Sequence, residues 1–529
     1  MTLNRRPASV VRLAVGCLLG AAAPSAAAAA EIQPGHLPRI GTVDTRFQSY
    51  NVEMAEIIGA DFWRAYGPSG KVETEPARPP GKHVAGRDGT LFQAFPPLDT
   101  ANPRLRKLAA ALGPAYVRIS GTWANSIYFH DSDTPPPATA PQGFKGVLTR
   151  SEWKGAIDFA RDANAELVTS FAVSTGVRDR NGVWTADQAA KWLAYTKAVG
   201  GRIAAAEFFN EPTLPALGEA PSGYDAAAYA RDFSIFRSFV QRLAPDMVIV
   251  GPGAVGEASV NAGGGRSDMI ATEDLLAARP RPVFDIYSYH HYPALSIRCA
   301  SIGPQTQTTA DAALSEDWLA RADKSNAFHV GLRNRYAPSA PVWITEIADA
   351  ACGGNPWAKT FVDSFRYADT LGRLARNGVA VLFHNTLAAS DYGLLQPGTF
   401  EPRPNYWVAL LWRRLMGPMV LDAGLSREGL HLYAHCLREH RGGVAVVAIN
   451  NSRTTGSDAE LSAPSERYTL SAASLQSEHI ELNGKPLLLG PNDELPLMEG
   501  DFQPPGRLNF APATITFLAV PDAENRHCQ

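Results

Sequence analysis

Eight short apolar and β-branched runs, at 46–54, 115–120, 166–173, 203–209, 247–251, 283–289, 341–346 and 379–386, alternate with longer stretches whose apolar positions recur at helical steps. After the fourth run, Asp225 is placed to cap a helix carrying Tyr229, Phe233, Phe236, Val240 and Leu243 on one face and ending before Pro245. After the seventh, Phe361, Phe365, Ala368, Leu371 and Ala375 repeat the pattern, and Gly378 offers a C-terminal stop. Eight strand–helix units predict an α/β fold, a (β/α)8 TIM barrel over residues 46–416. In such a barrel the reactive groups sit on loops following the C-terminal ends of the strands.

Beyond Gly417 the period changes. Runs at 430–436, 444–449, 467–470, 479–482 and 514–520 are separated by turn signals such as Arg441-Gly442-Gly443 and Asn483-Gly484. They predict a C-terminal β-sandwich domain over residues 417–529, and residues 31–45 are expected to lend it an N-terminal strand.

Composition narrows the class without changing the fold. Of 529 residues 45% are apolar and 19% charged, which excludes a disordered chain or a small disulfide scaffold. Arg5, Arg6 and Arg12 lead into an apolar stretch that ends in the small residues 26–30, the pattern of a signal peptide over residues 1–30. Arg12 and Pro24 interrupt that stretch below the roughly 20 residues a spanning helix needs, so a secreted or periplasmic protein with no membrane segment in its mature form is expected. Cleavage would lower the basic count from 49 to 46 against 52 acidic residues. That acidic balance argues against nucleic acid as a partner.

Four cysteines remain, Cys299, Cys352, Cys436 and Cys528, and they allow three pairings. Position favours Cys436 with Cys528, both in the β-domain, and Cys299 with Cys352, on loops after strands six and seven. No CxxC or Cys/His cluster suggests structural zinc.

The chemistry is concentrated at two strand ends. The fourth run leads into Phe209-Asn210-Glu211-Pro212 and the seventh ends in Ile344-Thr345-Glu346, so two glutamates are placed to face one cleft. Glycoside hydrolysis needs such a pair, one protonated to donate to the leaving oxygen and one ionised. A separation of about 5–5.5 Å supports double displacement with retention. Taken singly, each acid is as well explained as a cap or a surface charge; their joint placement, with Asn before the first, is what points to catalysis.

Arg46-Phe47-Gln48-Ser49, Arg118-Ile119-Ser120-Gly121-Thr122, Tyr289-His290-His291-Tyr292, Asp391-Tyr392-Gly393-Leu394 and Pro404-Asn405-Tyr406-Trp407 accompany the acids in order, as do stretches at 480–486 and 495–498. Together they resemble the heparanase and β-glucuronidase family of retaining glycosidases, glycoside hydrolase family 79. The resemblance implies Glu211 as acid/base and Glu346 as nucleophile. It implies Asn210 as hydrogen-bonding the sugar 2-hydroxyl, Tyr292 as donating to Glu346, and Glu53 and Thr122 as touching sugar hydroxyls. Tyr392 and the N–H groups of Gly353 and Gly354 would hold the uronate carboxylate. Cys352 stands where the vertebrate enzymes carry a Tyr, and the spacing from Glu346 to the glycines is one residue longer. The implied substrate is a glucuronic-acid-containing glycan or glycoside, cleaved without a cofactor; endo-action on heparan sulfate is the alternative, and another clan-related β-glycosidase activity a further one.

Two other patterns point elsewhere. His290 and His291 suggest a metal pair, but adjacent strand residues face opposite sides and make a poor bidentate site. Gly251-Pro252-Gly253-Ala254-Val255-Gly256 matches the dinucleotide-binding GxGxxG, which would imply an oxidoreductase; it contains Pro252 and leads into Asn261-Ala262-Gly263-Gly264-Gly265 instead of an apolar helix.

Overall fold

The computed structural model describes Thr2 and residues 30–67, 91–257, 269–300, 307–424 and 426–529. The expected signal peptide lies almost wholly outside them, as do residues 261–265. Eight strands, Gln48–Glu53, Ala115–Ser120, Ala165–Ser170, Ile203–Glu207, Val248–Ala254, Ile286–His291, Val342–Ile347 and Val379–His384, pair in chain order. Each pairing is parallel, and the eighth strand closes on the first.

Alternation along each strand divides inside from outside. Tyr116, Val168, Ala205, Val250, Trp343, Val381 and Phe383 fill the lower barrel interior as one apolar cluster. Two residues further up, Arg118, Glu207, Ser288 and Thr345 form a hydrogen-bonded polar layer beneath the mouth. The seventh strand breaks its register against the eighth between Ile344 and Ile347. That irregularity lets Thr345 and Glu346 both serve the interior, which strict alternation would forbid.

The helix after the fourth strand runs Ala226–Leu243, capped by Asp225, whose carboxylate accepts the Ala228 N–H at 2.8 Å. It buries Tyr229, Phe233, Phe236, Phe239 and Val240, each fully buried aromatic or Val contributing about 1.5–3 kcal/mol. Leu243, expected on that face, is exposed in the last helical turn. The helix Phe361–Arg376 is buried along almost its whole length because the β-domain covers the side turned away from the barrel. Its buried charges are therefore paired, Arg366 with Asp363 and Arg373 with Asp369.

A large sheet orders Arg39–Thr42, Met416–Leu421, His431–Leu437, Val444–Asn450, Thr514–Val520 and Ser465–Ser471, then the short strands Glu481–Leu482 and Lys485–Pro486. Ala30–Ile32, Ser457–Leu461 and Gly506–Phe510 form a second, smaller sheet against it. Val444, Val446 and Ala448 face the small sheet, while Ala445, Val447 and Ile449 join the core shared with the barrel helices. Burial on both faces explains why this strand reads as an unbroken apolar run. Cys436 is bonded to Cys528 and Cys299 to Cys352. No helix of the described residues is long and apolar enough to cross a membrane.

Candidate active site

The floor of the barrel mouth is built around Arg118. Its Nε and Nη2 donate to one oxygen of Glu207 at 2.9 and 2.7 Å, Nη1 donates to Glu346 Oε1 at 2.9 Å, and Nη2 also reaches Asn210 Oδ1 at 2.6 Å. Glu207 completes its shell with hydroxyls of Ser288 and Thr345, at 3.2 and 2.8 Å. Arg118 and Glu207 are fully buried, so each charge depends on the other.

Glu346 sits above this floor. Arg118 holds one oxygen, and the Tyr292 hydroxyl donates to the other at 2.6 Å. Burial alone would raise its pKa; the charges of His290 and Arg118 and the Tyr292 hydrogen bond outweigh burial and hold it below the usual carboxylate value.

Glu211 lies past the end of the fourth strand in the left-handed region, φ 58°, a conformation costing about 1–2 kcal/mol outside glycine. Asn125 pins the preceding residue, accepting the Asn210 N–H and donating to its carbonyl, both at 3.0 Å. His290 Nδ1 stands 3.1 Å from Glu211 Oε1 and 3.5 Å from Glu346 Oε2. Burial works against its proton, but Glu346 and Glu211 prevail and raise its pKa.

One oxygen of Glu211, one of Glu346 and a His290 nitrogen all lie within 4.8 Å of one another. That closeness suits a nucleophile and an acid acting on one bond, the arrangement of retaining enzymes. The three groups would also reach a shared cation, but Arg118 already donates to Glu346. His291 turns the other way, among Arg366 and Arg321, where burial drives its pKa down to about 3.

Around the acids, Glu53, Phe62, Trp63, Phe92, Gly121, Thr122, Trp123, Tyr292, Asn385 and Tyr392 line a pocket of about 70 Å³. Glu53 ends the first strand and shares a capping box with Glu56 at the start of Met54–Ile58. Burial, then the nearby Glu346, raises the Glu53 pKa well above its ordinary value. Gly121, at φ 89°, is the one residue that fits beside it, because a Cβ there would stand 1.7 Å from Glu53 Oε2. Asn385 Nδ2 faces Tyr292 Oη at 3.0 Å, Tyr392 Oη at 3.2 Å and Glu53 Oε1 at 3.3 Å, linking three pocket walls.

Glu211, Glu346, Glu53, Thr122, Tyr292 and Tyr392 thus share one pocket, and Asn210 lies on its floor beside Arg118. Gly353 and Gly354 do not line it. They sit one layer behind, where a Cβ on Gly353 would meet Trp63 and one on Gly354 the Tyr392 backbone. No sequence motif assigns a role to Arg118, Glu207, Asn125 or Asn385. For the first two a signal existed: a charge in the middle of Ala115–Ser120 and one at the end of Ile203–Glu207, both on otherwise apolar strands. The glycine-rich stretch starting at Gly251 lies in the fifth barrel strand up to Ala254; there Gly251 makes room for Phe284 and Gly253 approaches Glu207. It is barrel wall, not a phosphate-binding turn.

Residues 93–372 match the family model "Glycosyl hydrolase family 79, N-terminal domain". The chain belongs to glycosyl hydrolase family 79. It is a glycoside hydrolase of the retaining type. Heparanase-like protein 1 of Arabidopsis thaliana is 26% identical over 490 residues, covering 82% of this chain and 86% of that protein. Baicalin-beta-D-glucuronidase of Scutellaria baicalensis is 32% identical over 225 residues, 40% of this chain and 42% of that one. In architecture the chain is similar to the GH51 arabinofuranosidase from Xanthomonas axonopodis pv. citri, with a TM-score of 0.60, 14% identity, and coverage of 91% of this chain and 97% of that one.

Proposed function

We propose that this family 79 member is an exported β-glucuronidase, releasing β-linked glucuronic acid from glycans or glycosides by double displacement. The observation that carries the mechanism is the closeness of Glu211 and Glu346 across the pocket. Glu346, held ionised by Arg118 and Tyr292, attacks the anomeric carbon while Glu211 gives its proton to the glycosidic oxygen. That carbon–oxygen bond breaks, the aglycone leaves as an alcohol, and a glucuronyl ester forms on Glu346. Glu211, now ionised, takes a proton from water, which attacks the same carbon and frees Glu346 with retained configuration. Asn210 donates to the 2-hydroxyl, an interaction that strengthens as the oxocarbenium-like charge develops.

The uronate preference is supported by Tyr392 at the pocket wall and by the partial likeness to a plant β-glucuronidase. Gly353 and Gly354 back that wall and contribute by shaping it. Purified mature protein is expected to cleave an aryl β-glucuronide much faster than the matching β-glucoside or β-xyloside, with the β-anomer appearing first by proton NMR. Equal rates on the three would refute the uronate assignment, and an initial α-anomer would refute retention. Glu346→Ala is expected to leave no turnover.

A further inference from the structure

Among the described residues, those lining the pocket include three carboxylates, Glu53, Glu211 and Glu346, and no lysine or arginine. Glu346 is the one held ionised, and its charge opposes an anionic sugar, so uronate binding gains from positive charge behind the walls. Arg118 is committed to Glu207 and Glu346 on the floor, and His290 stands between the two catalytic acids. On the Tyr392 side two buried arginines flank Asp391: Arg403, whose Nη1 donates to the carbonyls of Ser390, Asp391 and Gly393, and Arg298, which pairs with the Asp391 carboxylate itself. The Arg298 side chain is fully buried, with Nη2 2.5 Å from Asp391 Oδ2 and the guanidinium carbon 4.0 Å over the Tyr66 ring. Nη1 donates to the Arg64 carbonyl, and Nε has no hydrogen-bond partner among the described residues.

Arg298 is also tied to the loop carrying the glycines. Its backbone N–H donates to the Tyr66 hydroxyl at 2.9 Å, that hydroxyl is 2.7 Å from Ser296 Oγ, and Ser296 donates to the Gly354 carbonyl at 2.6 Å. The Cys299–Cys352 bond joins the same two loops. Asp391, which neutralises part of this charge, directly precedes Tyr392 in the chain.

We infer that Arg298, seated behind Tyr392 and balanced by Asp391, is the specificity-determining cation that makes the pocket accept a uronate in preference to its neutral counterpart. The inference rests on the β-glucuronidase reading and deepens it. Arg298 is a positioning residue: it acts through Tyr392 and the glycine loop and through its charge, without touching the reacting atoms.

The test compares kcat/KM on an aryl β-glucuronide with that on its methyl ester, which removes the charge and keeps the ring. Arg298→Gln is expected to lower the acid-to-ester ratio at least tenfold, chiefly through KM of the acid. Asp391→Asn, which leaves Arg298 unopposed, is expected to raise the ratio about threefold or more. A folded Arg298→Gln enzyme with the wild-type ratio would overturn the inference. Should that variant not fold, an unchanged or lowered ratio in Asp391→Asn overturns it instead. Wild-type enzyme that fails to prefer the acid would defeat the uronate reading itself, whereas a wild-type preference that survives both substitutions defeats only the role of Arg298.

Discussion

Replacing Tyr292 by Phe removes one oxygen and leaves the ring packed against Val255, Ala348, Ala358 and Tyr392. The lost group donates to Glu346 Oε2 at 2.6 Å, and a hydrogen bond to a charged acceptor is worth about 1.5–3 kcal/mol. Asn385 loses one acceptor but keeps Glu53 and the Tyr392 hydroxyl within reach. Because the Tyr292 bond is among the influences holding Glu346 below its usual pKa, losing it raises that pKa. At 1.36 kcal/mol per unit, the acid limb of kcat/KM should move up by about one to two pH units, less whatever Arg118 and His290 recover. Glu346 must be ionised to attack, so the loss falls on the acid side: roughly ten- to a hundredfold well below the limb and much less on the plateau. The assay is the pH profile of kcat/KM for wild type and Tyr292→Phe on the same aryl glycoside, where ionisation of the substrate is common to both. A variant whose plateau drops while its acid limb stays in place would refute the claim that the phenol keeps the nucleophile ionised.

Gly121→Ala should abolish activity and lower the thermal midpoint, since the new Cβ would occupy the place of the Glu53 carboxylate. Gly378→Ala is the contrast: it too has positive φ, 78°, but nothing lies within 4 Å of the added methyl, so a cost of about 1 kcal/mol in stability with unaltered kcat/KM is expected. Equal activity losses in the two would remove the steric argument. At the junction of barrel and β-domain, His431 lies between Asp369, 2.6 Å from Nδ1, and Glu316, 2.9 Å from Nε2. Burial opposes its protonation but the Asp369 hydrogen bond and the two carboxylates prevail, so its folded-state pKa is raised. The stabilisation is then fully present below the unfolded value of about 6.5 and lost as pH rises through the higher folded value. Thermal midpoints of wild type and His431→Gln measured from pH 5 to 9 should therefore differ most at the acid end and converge toward the alkaline end; a constant gap would show that the contribution is packing alone.

Barrel strands and sandwich strands were legible for a local reason: β-branched and apolar runs of strand length, punctuated by Gly, Pro and Asn, declare themselves within a few residues. The run at 203–209 extends two residues past the strand because Phe208 and Phe209 are apolar, although the strand ends at Glu207 and both rings are buried beyond it. The helix Phe361–Arg376 read as one-faced, since nothing in its own period shows that a second domain covers its other side.

The acids themselves stood out by residue type and position, and the family motifs supplied Tyr292, Tyr392 and Glu53. Their partners did not stand out. Arg118 and Glu207 meet across the barrel interior, 89 positions apart in the chain, and Asn125 reaches Asn210 from the turn after the second strand. Glu346 faces the mouth only because the seventh strand slips register near its end. Sequence alone determined the kinds of element, their order and the chemistry the strand ends could carry, because propensity and periodicity act between near neighbours. Tertiary structure decided which charge neutralises which, whether the two acids stand a bond's reach apart, and that the glycine pair backs the pocket without lining it. Those depend on closure and register of the whole barrel, where a shift of one residue reverses the face on which a side chain stands.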